Sequence, residues 1–379
     1  MTQIDIRPVD GRRELQIFLT FPWQVFRGDP LWVPPLLPRL RERIDPATGA
    51  WYRRGFAEFF LAWSGRKPVG TICCAVDERR NEHLARRDAI FGLNHYLRDY
   101  AIAAALWDHA RSWARQRHLD TLVGPYDLDY EDSYGILIEG YDRPPALLCG
   151  HSPPYYREFV TRYGFRPAKE QNIALEISLE SFGKAVGGMA KLYRVAKAVQ
   201  RRGHVTVRPA NLSDWNAEVE RVLVLLNDAL CVLPQHVPWS QDGFEELAKD
   251  LVDLIDPELA LFGEVDGQAV GFLLGLPNLN QALIHANGLR YPWDKLRAWW
   301  ALRHKPDCLC IKSILVLPKY WGRGIDALML YEMGQRAIAK GYRWVDLSIT
   351  GLENPMTPRL AARLGARIYK HWQVYAIDT

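Results

Sequence analysis

An internal repeat constrains this chain more than any other feature. Three anchors recur at a constant offset of 201 residues. The strand-like Ile4-Asp-Ile-Arg7-Pro8, followed by a helical stretch, returns as Val205-Thr-Val-Arg208-Pro209 and another helical stretch. A hairpin pattern of Phe59–Trp63, the turn Ser64–Lys67 and Val69-Gly70 returns as Leu259–Val265, the turn Asp266-Gly267 and Val270-Gly271. Tyr163-Gly164-Phe165 returns as Leu364-Gly365-Ala366, each placed after a helix and before a strand. Self-similarity at one period means one structural unit present twice.

Between the anchors the lengths differ in a compensating way. The first half places a helix at Tyr100–Gln116 and then inserts Pro125–Pro154. The second half inserts Leu276–Pro306 and places the matching helix at about Ile325–Lys340. The joint, Arg194–His204, reads as a helix ended by the C-cap glycine Gly203. Two α/β units follow as the expectation, over 1–193 and 205–379.

Composition agrees with that division. A length of 379 residues suits two domains, and 48% hydrophobic with 24% charged residues is globular. The 48 Lys+Arg against 44 Asp+Glu leave a charge of +4, too diffuse for a nucleic-acid surface. Fourteen Trp and seventeen Tyr point to aromatic-lined cores or clefts. No run nears the roughly 18 apolar residues of an integral membrane segment, and Met1–Pro8 lacks the basic-then-apolar order of a signal peptide. The six cysteines form no CxxC pair and no His pattern suggests zinc. Cys73, Cys74, Cys308 and Cys310 lie in apolar runs, as small buried hydrophobes do. A reduced, cytoplasmic, metal-free protein is expected.

The richest segment runs from Cys310 to Leu330. An apolar strand enters Pro318, then Lys319-Tyr320-Trp321-Gly322-Arg323-Gly324-Ile325-Asp326 opens a helix. Glycines at a strand-to-helix turn let backbone N–H groups approach an anion, and the helix N-terminus adds positive partial charge. The same two glycines also serve a plain tight turn.

This segment resembles the GNAT superfamily of acyl-CoA-dependent N-acyltransferases, whose strand leads into Q/R-x-x-G-x-G/A and a helix. The order of elements over 205–379 matches that family, and the first half matches it more weakly through the repeat. The resemblance implies two GNAT-like lobes of α/β (α+β) type, each a mostly antiparallel mixed sheet flanked by helices. It further implies acetyl-CoA or another acyl-CoA as co-substrate. Strand backbone at Leu315, Val316 and Leu317 would hold the pantetheine arm, Trp321 through Asp326 (with Gly322, Arg323, Gly324 and Ile325) the pyrophosphate, and Asn354 the arm again.

The chain also departs from the pattern. Trp321 stands for the Gln or Arg, and Asp326 puts a carboxylate in the first helical turn, where it competes with phosphate. Ala361 stands where the family often has a Tyr as general acid. The first half has no glycine loop before Tyr100, and Pro153 stands at its Asn position, so it is expected to bind no cofactor of its own.

Three further stretches carry candidate chemistry. Tyr126–Tyr134 gathers carboxylates and tyrosines, including Glu131; it could seat an amine or a base, and a solvated acidic loop is the plainer expectation. His151, in Gly150-His151-Ser152-Pro153-Pro154, could act as a base near pH 7 or be structural. Tyr320 lies beside the loop as a further catalytic candidate. The aromatic and basic insertion Asn278–Trp300 could lid a pocket, rest on a membrane surface, or bury Trp299 and Trp300 between the lobes, and burial is expected. Arg79-Arg80 reads as a solvated face.

The expected activity is N-acylation, most simply N-acetylation, of a small-molecule or peptide amine in a cleft shaped by both lobes. The alternative is a GNAT-fold binding protein without turnover, for which Trp321, Asp326 and Ala361 speak.

Overall fold

The computed structural model describes residues 3–128, 134–181, 187–233, 236–352, 354 and 357–379. The first half runs β1 (Ile4–Pro8), α1 (Gly11–Thr20), α2 (Pro22–Val25), α3 (Leu37–Ile44), β2 (Gly55–Ser64), β3 (Lys67–Asp77), α4 (Glu78–His83), β4 (Asp88–Tyr96), α5 (Tyr100–Gln116), β5 (Thr121–Gly124), β6 (Ile136–Glu139), α6 (Tyr155–Tyr163) and β7 (Arg166–Ser178). The linking helix α7 (Gly187–Arg202) ends at Gly203, whose φ of +72° is the left-handed conformation of a C-cap glycine. The second half runs β8 (Val205–Pro209), α8 (Trp215–Leu230), α9 (Gln241–Leu251), β9 (Ala260–Val265), β10 (Gln268–Pro277), α10 (Asn280–Leu283), α11 (Asp294–Leu302), β11 (Cys308–Val316), α12 (Ile325–Ala339), β12 (Trp344–Gly351), α13 (Thr357–Arg363) and β13 (Arg367–Asp378).

The expected two sheets are one. Strand order is β1-β2-β3-β4-β5-β13-β7-β12-β11-β10-β9-β8, with β6 paired to β13 off this path. The last strand of each half has crossed into the other: β13 pairs with β5, and β7 pairs with β12. The crossed strands lie antiparallel to each other, with Ile368 opposite Leu175 and Trp372 opposite Asn172. Read inward from either end, the order is the same series of equivalents, so the halves are related by an approximate twofold through the β7–β13 pair.

Helices cover both faces, which explains why central strands are apolar on both sides. β3 is buried along nearly its whole length, and its Cys73 and Cys74 are inaccessible, as are Cys308 and Cys310 on β11. In the first half α5 lays Ile102, Leu106, Trp107, Ala110 and Trp113 on one face at helical spacing. Asp99 caps that helix by accepting from the Ala101 N–H at 2.9 Å. Helices α1 and α3 pack on the opposite face around Trp51, Leu61 and Ile90. In the second half α7 and α12 cover one face, while α8 and α9 cover the other through Val219, Val222, Phe244 and Ala248.

Two surface expectations are corrected. Arg80 is buried, not solvated: its guanidinium donates to Glu170 at 3.1 Å and lies over the Tyr126 ring. The expected burial of Trp299 and Trp300 between the halves is overturned, since they are 57% and 60% exposed. Only Asp294, Ala298 and Ala301 of α11 turn inward, too narrow a seam to include either indole.

Candidate functional site

β11 and β12 run parallel but pair only over Cys308–Cys310 against Trp344–Asp346. Beyond that, β11 stays with β10 and β12 with β7, so an open wedge separates them. Leu317 donates its N–H to Val270 O at 2.9 Å, toward β10. By strand alternation the peptide groups of Val316 therefore face the wedge. The Trp321 indole uses that edge, its Nε1–H donating to Val316 O at 2.7 Å.

The loop that follows is a glycine turn on two counts. Gly322 and Gly324 have φ of +74° and +80°, and Gly324 is the N-cap of α12. A Cβ on Gly324 would lie 2.9 Å from Val195 Cγ1 and Val199 Cγ2 of α7. Ile325 is buried, so it offers the loop only its backbone, and Asp326 sits half-buried in the first turn. Lys319 and Arg323 both lie over the Tyr320 ring, at 5.1 and 5.0 Å from its centroid. Two cations thus stand at the turn to offset Asp326.

At the floor of the wedge lies a polar cluster that sequence reasoning missed. Lys312 Nζ donates to Ser348 O at 2.9 Å, to Ser348 Oγ at 3.3 Å and to Leu147 O. Ser348 donates to Asp346, which also accepts from Tyr369 OH at 2.6 Å. Cys149 Sγ donates to Ser348 Oγ at 3.0 Å, and burial pushes its thiol up to about 12, with Lys312 acting the other way. Burial, then the Asp346 charge, pushes the Tyr369 phenol well up. A signal existed in the sequence: Lys312 and Asp346-x-Ser348 place charged and polar groups in strands that are mostly apolar on both faces.

From this wedge a cavity of about 690 Å³ opens between the sheet and helices α8 and α9. Its deep end is apolar, walled by Val222, Leu226, Phe244, Ala248, Phe262 and Leu274. Its near end is polar, with Lys312, Ser348, Asn354 and Asn172. Asn172 is buried, accepts from Tyr134 OH at 3.1 Å, and among the described residues its Nδ2 has no partner.

A second cavity, about 920 Å³, lies between α1–α3 and α9–α11. Leu148, Trp239, Leu247, Arg54 and Arg79 line both cavities, so the two adjoin. Phe26, Trp32, Leu36 and Leu283 supply apolar wall; Asn94, His95 and His151 supply polar atoms. Asn94 Oδ1, His95 Nδ1 and His151 Nδ1 have no hydrogen-bond partner among the described residues. Burial lowers the His95 pKa to about 4. It also lowers that of His151, against the pull of Asp29, which meets its Nε2 at 2.9 Å. Burial thus favours the neutral form of both rings.

The structure thus gathers Leu315 and Asn354 on the first cavity, and Val316, Leu317 and Tyr320 through Asp326 along the wedge and its loop. His151 belongs to the second cavity. Ala361 is buried on α13 and offers no acid. Glu131 lies outside the described residues. The flanks of its stretch are not a solvated loop: Tyr126 and Leu128 are buried, and Asp127 accepts from the Leu93 N–H at 2.6 Å. No group of His, Cys, Asp and Glu that could hold a metal occurs among the described residues.

A sheet splayed at one parallel pair, followed by a glycine turn into a helix, is the arrangement of a GNAT fold, and residues 219–366 match the model of the acetyltransferase (GNAT) family. The whole chain has the tandem GNAT fold: it superimposes on a tandem GNAT protein from the clavulanic acid biosynthesis pathway with a TM-score of 0.58, at 13% identity, over 99% of this chain and 98% of that one. Among curated relatives it is similar to a protein of Caulobacter vibrioides named bacterial ceramide synthase, 27% identical over 98% of this chain and 97% of the relative. It is likewise similar to Protein YghO of Escherichia coli, 25% identical over 98% and 94%.

Proposed function

We propose that the protein is an acyl-CoA-dependent N-acyltransferase that takes long-chain donors and an amphipathic amine acceptor. One observation carries the reading: the apolar chamber of about 690 Å³ behind the wedge. Pockets of about 300–1,000 Å³ enclose ligands of drug size. An acetyl group would leave most of this one unfilled, and unfilled apolar cavity is destabilising. A long acyl chain fills it.

The donor's fit rests on the same geometry. The edge of β11 at Val316, once the Trp321 indole swings off its carbonyl, suits a pantetheine amide, and the φ-positive glycines before α12 suit a pyrophosphate. Asn354 stands on the opposite wall of the wedge. Bound there, acyl-CoA supplies an activated acyl carbonyl. The reaction joins that carbon to the amine nitrogen and releases the thiol, one amine proton passing to sulfur overall. A thiol of pKa about 8.5 leaves without a strong acid, consistent with the alanine at position 361.

The acceptor reading draws on the second cavity. A long-chain amine needs an apolar channel and acceptors for its N–H or O–H groups, and Asn94 Oδ1 with the two neutral imidazoles supplies them. A ceramide is an N-acylated long-chain amine, so the name of the Caulobacter relative fits two adjoining cavities, one per chain.

The test is a donor series with a long-chain amine, read by free thiol and by mass of the amide. Palmitoyl-CoA should exceed acetyl-CoA in kcat/KM by more than tenfold; equal rates, or a preference for acetyl, overturn the reading.

One contact favours a second reading, a fold kept for binding alone: the Trp321 indole covers the Val316 carbonyl. Calorimetry with acyl-CoA on the wild type and Asp326→Gly separates the two. No binding by either protein overturns the enzyme reading, and a gain restricted to the variant supports the non-catalytic one.

A further inference from the structure

The helix α11 inverts the usual arrangement of a surface helix. Its inward seam is Asp294, Ala298 and Ala301, at i, i+4 and i+7. Asp294 is fully buried and accepts from the Tyr291 N–H at 2.9 Å and from Asn287 at 3.0 Å. The large apolar residues point outward: Trp293, Leu296, Trp299 and Trp300 are 55%, 69%, 57% and 60% exposed, and Tyr291 and Leu302 are exposed beside them. A patch of this kind on a soluble surface marks an interaction site.

Charge selects the partner. Arg290, Lys295, Arg297, Arg303 and Lys305 border the patch, against the single carboxylate Asp294 in the segment 290–305, which is buried. The Arg303 guanidinium lies 3.6 Å from the Trp299 ring centroid, and Tyr291 stacks on Trp293 at 4.8 Å. Amphipathic aromatic rings among cations match the headgroup layer of an anionic bilayer. The same element lines the second cavity through Ala298 and Leu302. Its preceding turn is tied to the first half where Trp23 Nε1 donates to Asn287 Oδ1 at 2.7 Å. Among the described residues no helix is long and apolar enough to cross a membrane, so contact here would be peripheral.

We infer that α11 and its flanks form a docking surface for an anionic lipid bilayer, seating the mouth of the second cavity against the membrane. This stands apart from turnover, because it is read by binding alone.

The experiment is flotation of the full chain with phosphatidylcholine vesicles, with or without phosphatidylglycerol. The wild type should float with the anionic vesicles and less so as salt rises. Lys295→Gln and Arg303→Gln should each weaken binding about fivefold. Leu296→Ser/Trp299→Ser/Trp300→Ser should abolish flotation while leaving the melting temperature near that of the wild type, since all three side chains face solvent. Should that variant misfold, quenching of wild-type tryptophan fluorescence by brominated lipid gives an independent reading. Failure of the wild type to float, undiminished flotation of the triple variant, or a dimer that the triple variant converts to monomer without any lipid binding would each overturn the inference.

Discussion

Ala248→Phe is the sharpest probe of the acyl chamber. Ala248 is buried on α9 and contributes to the chamber wall beside Phe244 and Leu247. A benzyl group there takes the space of about three methylenes, each worth about 0.8 kcal/mol when buried. The long chain therefore loses about 2.4 kcal/mol of binding, roughly 60-fold in kcat/KM at 1.36 kcal/mol per decade. A two-carbon acyl group never reaches that depth, so acetyl-CoA should change less than about twofold. The helix itself loses only about 0.5 kcal/mol from the weaker propensity of Phe, which a thermal melt would register separately. The assay is kcat/KM for acetyl-, octanoyl- and palmitoyl-CoA at saturating amine. An equal loss for all three donors, or an unchanged palmitoyl value, would refute the assignment of this chamber to the acyl chain.

Gly324→Ala should cost about 1–3 kcal/mol from the left-handed backbone. The close approach to Val195 and Val199 adds to this, and calorimetry should find acyl-CoA binding weakened at least tenfold. Lys370 is fully buried and donates to Gly140 O and Arg143 O; burial, then Arg143, lowers its pKa to about 8. The unfolded chain then holds the proton more tightly, so stability rises with pH between about 8 and 10.4 by up to about 3 kcal/mol. Denaturant melts of Lys370→Met should lack that share of the rise, and an identical pH slope in both proteins would count against it. Residues 1–193 expressed alone should give no cooperative melt, because the β5 edge then lacks β13; a sharp transition from that fragment would contradict the pairing.

Much of this was readable beforehand, for identifiable reasons. The hairpins, the linking helix and the glycine loop are local patterns, each set by chemistry within a few residues, and the structure places them where expected. The strand exchange was not readable, because β7 and β13 have the same pattern whichever half they complete. The wedge cluster escaped because Cys149, Lys312 and Ser348 are far apart in the chain, and only the fold shows that a lone lysine in an apolar strand has carbonyls waiting for it. For Trp299 and Trp300 the general rule that indoles seek burial misled, since the inward seam of α11 is built from small residues and one aspartate.

The crossed strands also bear on why a half without a glycine loop persists at all. In beads-on-a-string tandem proteins, a copy that loses its ligand can be trimmed away at little cost. Here deletion of the first half would strip β7 from the edge of β12 and expose one wall of the wedge itself. Selection on the half that carries the glycine loop is therefore selection on its twin. The half without the glycine loop can vary in its surface loops, but not in the strand it lends.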